Sequence, residues 1–321
     1  MLGAGAWGTA LALLAAGNGS YVNVWARESD VADWISVRHE NQRYLCGVTL
    51  PASIQAATDP SGIARADAVL VAVPAQSVRE TIEAFAPALP SKPVVVCAKG
   101  MERRTGLLMT EVIEDVLPGI DTAILSGPSF ASDVARGRPT AITIAGKPDT
   151  VARLQATLAA PAFRPYGSDD PIGVALGGAA KNVYAIACGI ASGLGLGESA
   201  VAALLARSFA ELVRMGEAMG AKRDTLMGLS GLGDLVLSAT STSSRNFALG
   251  RELGRGAALD LLTSTGQPLA EGVGTAPALI ARAHALGIEL PIAEATAAIL
   301  KGSLSPGDAI ARLMSRPLTS E

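Results

Sequence analysis

Gly3-Ala4-Gly5-Ala6-Trp7-Gly8 reads G-x-G-x-x-G almost at the start of a 321-residue chain. In such a loop one glycine makes a tight turn and a second lets the backbone approach a diphosphate. A third lets the next helix pack closely on a sheet. The stretch that follows, Thr9-Ala10-Leu11-Ala12-Leu13-Leu14-Ala15-Ala16, is rich in helix formers. The loop therefore opens a helix whose first N–H groups can hold anionic oxygens. Only Met1 and Leu2 precede Gly3, where a first strand of about five apolar residues belongs. The expectation is a truncated first strand, with the chain start assigned inside it.

Outward from the loop, Gly17-Asn18-Gly19 signals a turn and Tyr21-Val22-Asn23-Val24-Trp25 alternates as a strand ending at Ala26-Arg27. In a dinucleotide-binding unit this strand end meets the adenosine ribose. An acidic residue there bonds the ribose hydroxyls, whereas Arg27 could pair a 2′-phosphate. Arg27 thus points to NADP(H) over NAD(H), although Glu28 directly after it works against that choice. A solvated strand-end charge explains Arg27 as well.

Residues 68–74, 94–97 and 122–125 are short apolar runs typical of parallel strands buried on both faces. Amphipathic stretches at 77–86 and 107–116 separate them, the alternation of a parallel α/β sheet. Lys99 stands just past one strand, where it could face a phosphate or simply be the first solvated residue. Ser126-Gly127-Pro128-Ser129-Phe130 lies between a strand and a helix at 131–135, and Ser129 there could be an N-cap. Strands at 140–145 and 163–166 flank a helix at 149–158. After them strand signals fade, which places a domain boundary near Gly167-Ser168: an α/β Rossmann domain over 1–167 and an all-α substrate domain over 168–321.

The second domain opens with a long apolar stretch, residues 171–197, carrying Lys181 among Ala, Val, Ile and Gly. Apolar burial disfavours an ammonium, which prepares a lysine for proton transfer near neutrality; a snorkelling lysine is the alternative. Gly177, one turn earlier, leaves room for another molecule. Gly228-Leu229-Ser230-Gly231-Leu232-Gly233-Asp234 implies a sharply turning backbone beside Asp234. Ser241 to Asn246 then precedes a helix, so hydroxyls, Arg245 and helix N–H groups could cradle a phosphate, or the serines could merely cap the helix.

Composition narrows the function. Apolar residues make up 49% and charged residues 17%, with a net charge of −3, which describes a packed globular protein and gives no basic field for nucleic acid or anionic membranes. The long apolar stretch is Gly-rich and interrupted by Lys181 and Asn182, so it reads as a buried helix, not as membrane insertion. Three separated cysteines suggest reduced thiols in a cytoplasmic protein. His39 and His284 lie in no motif, and no metal-ligand cluster is present.

Taken together, the segments resemble the bacterial NAD(P)-dependent glycerol-3-phosphate dehydrogenase family along nearly the whole chain. They are Gly-Ala-Gly-Ala-Trp-Gly from Gly3, Val-Trp-Ala-Arg from Val24, Asn-Gln-Arg-Tyr-Leu from Asn41, Ala-Lys-Gly-Met-Glu from Ala98 and Ser-Gly-Pro-Ser-Phe-Ala from Ser126. Further matches are Ala-Lys-Asn-Val from Ala180, Gly-Leu-Gly-Asp-Leu from Gly231, Ser243-Ser244-Arg245-Asn246 and Ala270-Glu271-Gly272. The resemblance implies a cytoplasmic homodimer that interconverts dihydroxyacetone phosphate and sn-glycerol 3-phosphate for phospholipid synthesis. It implies cofactor contacts at Gly3, Gly5, Ala6, Trp7, Gly8, Arg27, Lys99, Ala131, Arg245, Leu269 and Glu271. Substrate contacts fall at Lys99, Gly127, Ser129, Lys181, Asp234, Ser244, Arg245 and Asn246, with Lys181 as proton acceptor and Asp234 beside it. Cys46, Glu198 and Gly274 stand where the family usually has proline, asparagine and arginine. A β-hydroxyacid or 6-phosphogluconate-type dehydrogenase and a non-catalytic dinucleotide-binding or interaction protein are the alternatives.

Overall fold

The computed structural model describes residues 1–59, 62–89, 92–263 and 270–317. The chain divides into two compact units, Met1–Lys99 with Leu107–Ala175, and Gly100–Gly106 with Leu176–Glu321. The expected cut after Gly167 falls at the end of the last strand of the first unit.

That unit begins with α1 (Ala6–Gly17), β1 (Val22–Trp25), α2 (Ser29–Arg38), the strands β2 (Glu40–Asn41) and β3 (Leu45–Thr49), and β4 (Ile54–Ala57). It continues with β5 (Val69–Val71), α3 (Val78–Phe85), β6 (Val94–Val96), α4 (Met109–Val116) and β7 (Thr122–Ser126). α5 (Ala131–Ala135), β8 (Thr140–Ala145), α6 (Pro148–Leu158) and β9 (Phe163–Ser168) close it. β4 pairs with β1, and β5 to β9 pair in sequence order, all parallel except β7 with β8.

Leu2 joins these two groups of strands by parallel bridges to Trp25 and Val71. Its N–H donates to the Leu70 carbonyl and its own carbonyl accepts from Ala72 N–H, both at 2.8 Å. On the other side Trp25 N–H donates to Met1 O at 2.8 Å, and Gly3 N–H donates to Trp25 O at 3.1 Å. The first strand is a single bridged residue, yet it occupies the centre. The resulting order, β4-β1-Leu2-β5-β6-β7, is that of a doubly wound dinucleotide-binding sheet, and it reverses at Leu2, where the glycine loop begins. Leu2, Val71, Val94, Val95 and Val96 are buried, as strands covered on both faces require.

The sequence reading passed over α2, the β2–β3 pair and β4. α2 is short and polar, and β4 is Ile-Gln-Ala-Ala, so neither carries a clear apolar period. Ser129 is not a cap. Phe130 occupies the N-cap position of α5 without a side-chain bond, and the Ser129 hydroxyl donates to Gly127 O at 3.1 Å.

From α7 onward the regular elements among the described residues are all helices. α7 (Pro171–Gly193), α8 (Glu198–Ala218), α9 (Arg223–Met227), α10 (Asp234–Thr240) and α11 (Arg245–Gly254) are followed by α12 (Leu259–Thr263), α13 (Glu271–Ala285), α14 (Pro291–Leu300) and α15 (Pro306–Met314). Among the described helices only α7 is long and apolar enough to cross a membrane, and 94% of that apolar window is buried in the protein. Its close neighbour is α11. Side chains at Gly189 and Gly193 would strike the carbonyls of Phe247 and Arg251, and side chains at Gly250 and Gly254 would strike those of Ile186 and Ile190. Two glycine pairs at i, i+4 thus let the backbones of α7 and α11 touch, which fixes the start of α11 against the helix that carries Lys181.

Candidate active site

In the glycine loop the three glycines have three physical reasons. Gly3 sits at φ +110°, and a Cβ there would lie 2.9 Å from the backbone of Ala72 and Val73. A Cβ on Gly8 would overlap the Gly3 carbonyl and press on Ala72, so α1 could not pack on the sheet. At Gly5, by contrast, a Cβ would meet no atom within 4 Å. The chain itself therefore explains Gly3 and Gly8 but leaves an open cradle at Gly5, just before the free N–H groups of Ala6 and Trp7 at the start of α1. That is the arrangement a dinucleotide diphosphate fits. The Trp7 indole N–H is buried without a partner, a second polar group at this loop that no protein atom accounts for.

The loop is braced from the β2–β3 segment. Asn41, fully buried, donates from Nδ2 to Ala4 O and to Thr9 Oγ1, both at 2.8 Å, and its Oδ1 accepts from Tyr44 N–H at 3.2 Å. At the end of β1, Arg27 is exposed and bonds Glu28 through Nη2–Oε1 at 2.8 Å. Glu28 raises the Arg27 guanidinium above its usual range. Lys99 Nζ donates to Gly127 O at 2.8 Å, the carbonyl that also accepts from Ser129. Lys99, Gly127 and Ser129 therefore form one cluster. Gly127, at φ +146°, has no room for a Cβ beside Ile142. Ala131 is the first residue of α5.

In the helical unit Lys181 and Asp234 are both buried. Lys181 Nζ donates to Asp234 Oδ1 at 2.6 Å and to Ser238 Oγ at 2.7 Å. A buried ammonium is costly unless paired, and this pair shows Lys181 held deep in the unit with its charge answered, not snorkelling. Apolar surroundings are thus only part of its environment. The turn before Asp234 is one π-helical turn, Leu229–Gly233, running directly into α10. Gly177 serves that turn: a Cβ there would lie 2.5 Å from Ser230 O. What approaches Gly177 is this chain's own backbone, not another molecule.

The Ser-Arg-Asn segment separates into three jobs. Ser244 is the N-cap of α11, its hydroxyl accepting from Phe247 N–H at 3.3 Å. Asn246, buried, donates to Asn182 Oδ1 at 2.8 Å and accepts from Gly272 N–H at 3.0 Å, bracketing α7, α11 and α13. Arg245 is exposed at the first turn of α11, leaving a guanidinium and helix N–H groups for an anion. Glu271 is the first residue of α13, and Leu269 lies outside the described residues. Sequence reading missed Ser238, although its place four residues after Asp234 on one helix is a usable signal. It also missed the bracing by Asn41, which lies in a polar stretch with nothing local to mark it.

A doubly wound sheet with a glycine cradle at its switch point, joined in one chain to a helical unit with a buried lysine–carboxylate pair, defines the class of dinucleotide-dependent dehydrogenases. Residues 1–152 match the model for the N-terminal domain of NAD-dependent glycerol-3-phosphate dehydrogenase, and residues 170–311 match that for its C-terminal domain. A glycerol-3-phosphate dehydrogenase (NAD(P)+) of Parvibaculum lavamentivorans is 51% identical over 100% of this chain and 97% of its own. One of Methylobacterium radiotolerans is 52% identical with the same coverage. The crystal structure of glycerol-3-phosphate dehydrogenase from Coxiella burnetii superposes with a TM-score of 0.94 at 36% identity, covering 98% of each chain. The chain belongs to the NAD-dependent glycerol-3-phosphate dehydrogenase family.

Proposed function

We propose that this protein reduces dihydroxyacetone phosphate to sn-glycerol 3-phosphate, acting on the CH–OH/C=O pair with NADP(H) preferred and NAD(H) accepted. The observation that carries the reading is the Lys181 ammonium fixed by Asp234 and Ser238, in a chain whose relatives are named for this reaction. The nicotinamide cofactor supplies the hydride. Lys181 gives a proton to the oxygen that becomes the alcohol, and in the reverse direction takes it back. Asp234 and Ser238 hold the ammonium in one orientation, so no reorganisation is needed when charge develops on that oxygen. Arg245, with the N–H groups at the start of α11, binds the substrate phosphate, and that remote binding helps to position the carbonyl. Lys99, Gly127 and Ser129 are further substrate contacts, and Lys99 also serves the cofactor, as the family resemblance implies. Gly3, Gly5, Ala6, Trp7, Gly8 and Ala131 receive the cofactor, as do Arg27 at its 2′-phosphate, Arg245, Leu269 and Glu271.

In this reading residues 1–167 form the dinucleotide-binding domain and 168–321 the helical domain that carries Lys181 and Asp234, in keeping with the two domain matches. The product feeds glycerophospholipid synthesis, and the enzyme works in the cytoplasm as a homodimer, as the family resemblance implies. Oxidation of NADPH by the purified protein with dihydroxyacetone phosphate tests the reaction. Turnover is expected with the phosphate ester and is expected to be lost with unphosphorylated dihydroxyacetone. Lys181→Ala should lower kcat by at least about 10³-fold, the scale of a lost acid–base group, with NADPH affinity within about twofold. A variant within tenfold of the parent removes Lys181 from this role, and reduction of NADP+ with 6-phosphogluconate would install the other dehydrogenase reading.

A further inference from the structure

Arg27 would meet a ribose phosphate already paired with a carboxylate. Its guanidinium lies 2.8 Å from Glu28 Oε1, with Arg27 79% exposed and Glu28 26% exposed. The Tyr44 hydroxyl approaches the same Oε1 at 3.5 Å. Tyr44 in turn is tied through its N–H to Asn41, the residue that holds the Ala4 carbonyl of the glycine loop. One hydrogen-bonded path therefore runs from the diphosphate cradle to Glu28. The carboxylate is a positioned group at the end of β1, not a wandering neighbour.

We propose that Glu28 is the residue that sets cofactor discrimination in this chain, by holding Arg27 when the ribose carries a 2′-hydroxyl and by opposing a 2′-phosphate for the same guanidinium. The inference rests on the reading of Arg27 as the ribose-side residue and deepens it. Two charges decide it. A phosphate monoester carries close to two negative charges at neutral pH and pairs a guanidinium in two-pronged fashion, so it can displace a carboxylate held in a solvent-exposed pair that is itself weak. The displaced carboxylate stays nearby, because it belongs to the next residue on the backbone, and its charge repels the phosphate. With a 2′-hydroxyl in place there is no such repulsion, and Glu28 can accept from the hydroxyl. A chain with Arg27 alone would favour NADP(H); a chain with Glu28 alone would favour NAD(H). The adjacent pair keeps both usable.

The test compares the full-length parent with Glu28→Gln, Arg27→Ala and the double variant, measuring kcat/KM and dissociation constants for NADPH and NADH, the latter by quenching of dinucleotide fluorescence. Glu28→Gln should raise the NADPH:NADH ratio by about fivefold, the effect of removing one like charge near the phosphate in solvent. Arg27→Ala should lower the ratio by about tenfold or more. In the Arg27→Ala background the Glu28→Gln gain should shrink, since the two act through one another. Inhibition by adenosine 2′,5′-bisphosphate against ADP should move in step, independently of turnover. A ratio unchanged or lowered in Glu28→Gln, while Arg27→Ala still lowers it, overturns the proposal for Glu28 alone. A ratio unaffected by Arg27→Ala overturns both it and the 2′-phosphate reading. A parent that binds both dinucleotides without oxidising either with dihydroxyacetone phosphate sinks the proposed reaction and leaves the binding comparison intact.

Discussion

At the residue scale, environment rather than residue type separates the reactive groups from the inert ones. Lys181 is surrounded by apolar side chains, but the bond to Asp234 and the Ser238 hydroxyl give its ammonium a defined direction. Position 181 could be read from the sequence, since a lysine inside a long apolar helix is uncommon. Its partners, 53 and 57 residues away, are brought to it only by the packing of α10 on α7. The cysteines show the opposite case. All three are free; Cys46 is exposed, whereas Cys97 and Cys188 are buried. Burial pushes the thiols of Cys97 and Cys188 up to about 12, so neither offers thiolate at neutral pH. An aromatic disulfide reagent should therefore titrate one thiol, Cys46, in the native protein and all three after denaturation. A second fast thiol would show that the helical unit or the sheet opens more readily than this packing implies.

At the scale of elements, the glycine loop separates folding from binding. The motif was legible in six letters, but the letters did not say which glycine serves what. Gly8 is needed by the protein, because a Cβ there would collide with the Gly3 carbonyl and force α1 off the sheet. Gly5 has open space and an ordinary negative φ of −66°. Gly5→Ala should accordingly leave Tm within about 2 °C, as surface changes do, while weakening NADPH binding by at least about tenfold through obstruction of the diphosphate. Gly8→Ala should lose several degrees of Tm as well as binding, in the way of overpacked core positions. Equal losses of Tm in the two variants would contradict the division. α11 gives a parallel lesson. Its Ser-Arg-Asn start reads as one phosphate motif, yet Ser244 caps the helix and Asn246 ties α7 to α13, leaving Arg245 exposed. The residues were visible, and their separate jobs follow from which way a helix turns its side chains.

For the whole molecule, buried charge in the helical unit links stability to pH. Glu211 of α8 accepts from Ile292 N–H at 2.8 Å and Ala293 N–H at 3.2 Å, at the start of α14. The fully buried Tyr184 of α7 lies close to it without a hydrogen bond of good geometry, and Arg214 is its nearby cation. Burial outweighs these helpers and raises the Glu211 carboxyl from 4.5 to about 7. A raised carboxyl favours the protonated fold. The stability it allows is therefore full below about pH 4.5, falls as pH rises toward 7, and is level above. Glu211→Gln should gain on the parent by about 3 kcal/mol between pH 4.5 and 8, read as the difference between two denaturant-unfolding series; parallel series would refute the linkage. Across the molecule, the sequence by itself determined the alternating strands and helices of the first unit, the helical character of the second, the glycine loop, Lys181 and Arg245, because period, glycine spacing and local chemistry are written in neighbouring residues. Tertiary structure alone decided that Leu2 completes the sheet, that Ser238 joins Asp234 in holding Lys181, that Gly177 admits the chain's own backbone, and that Asn41 braces the diphosphate cradle. Those facts depend on groups far apart in the chain, and local pattern cannot encode which distant partner a side chain meets once the backbone closes around it.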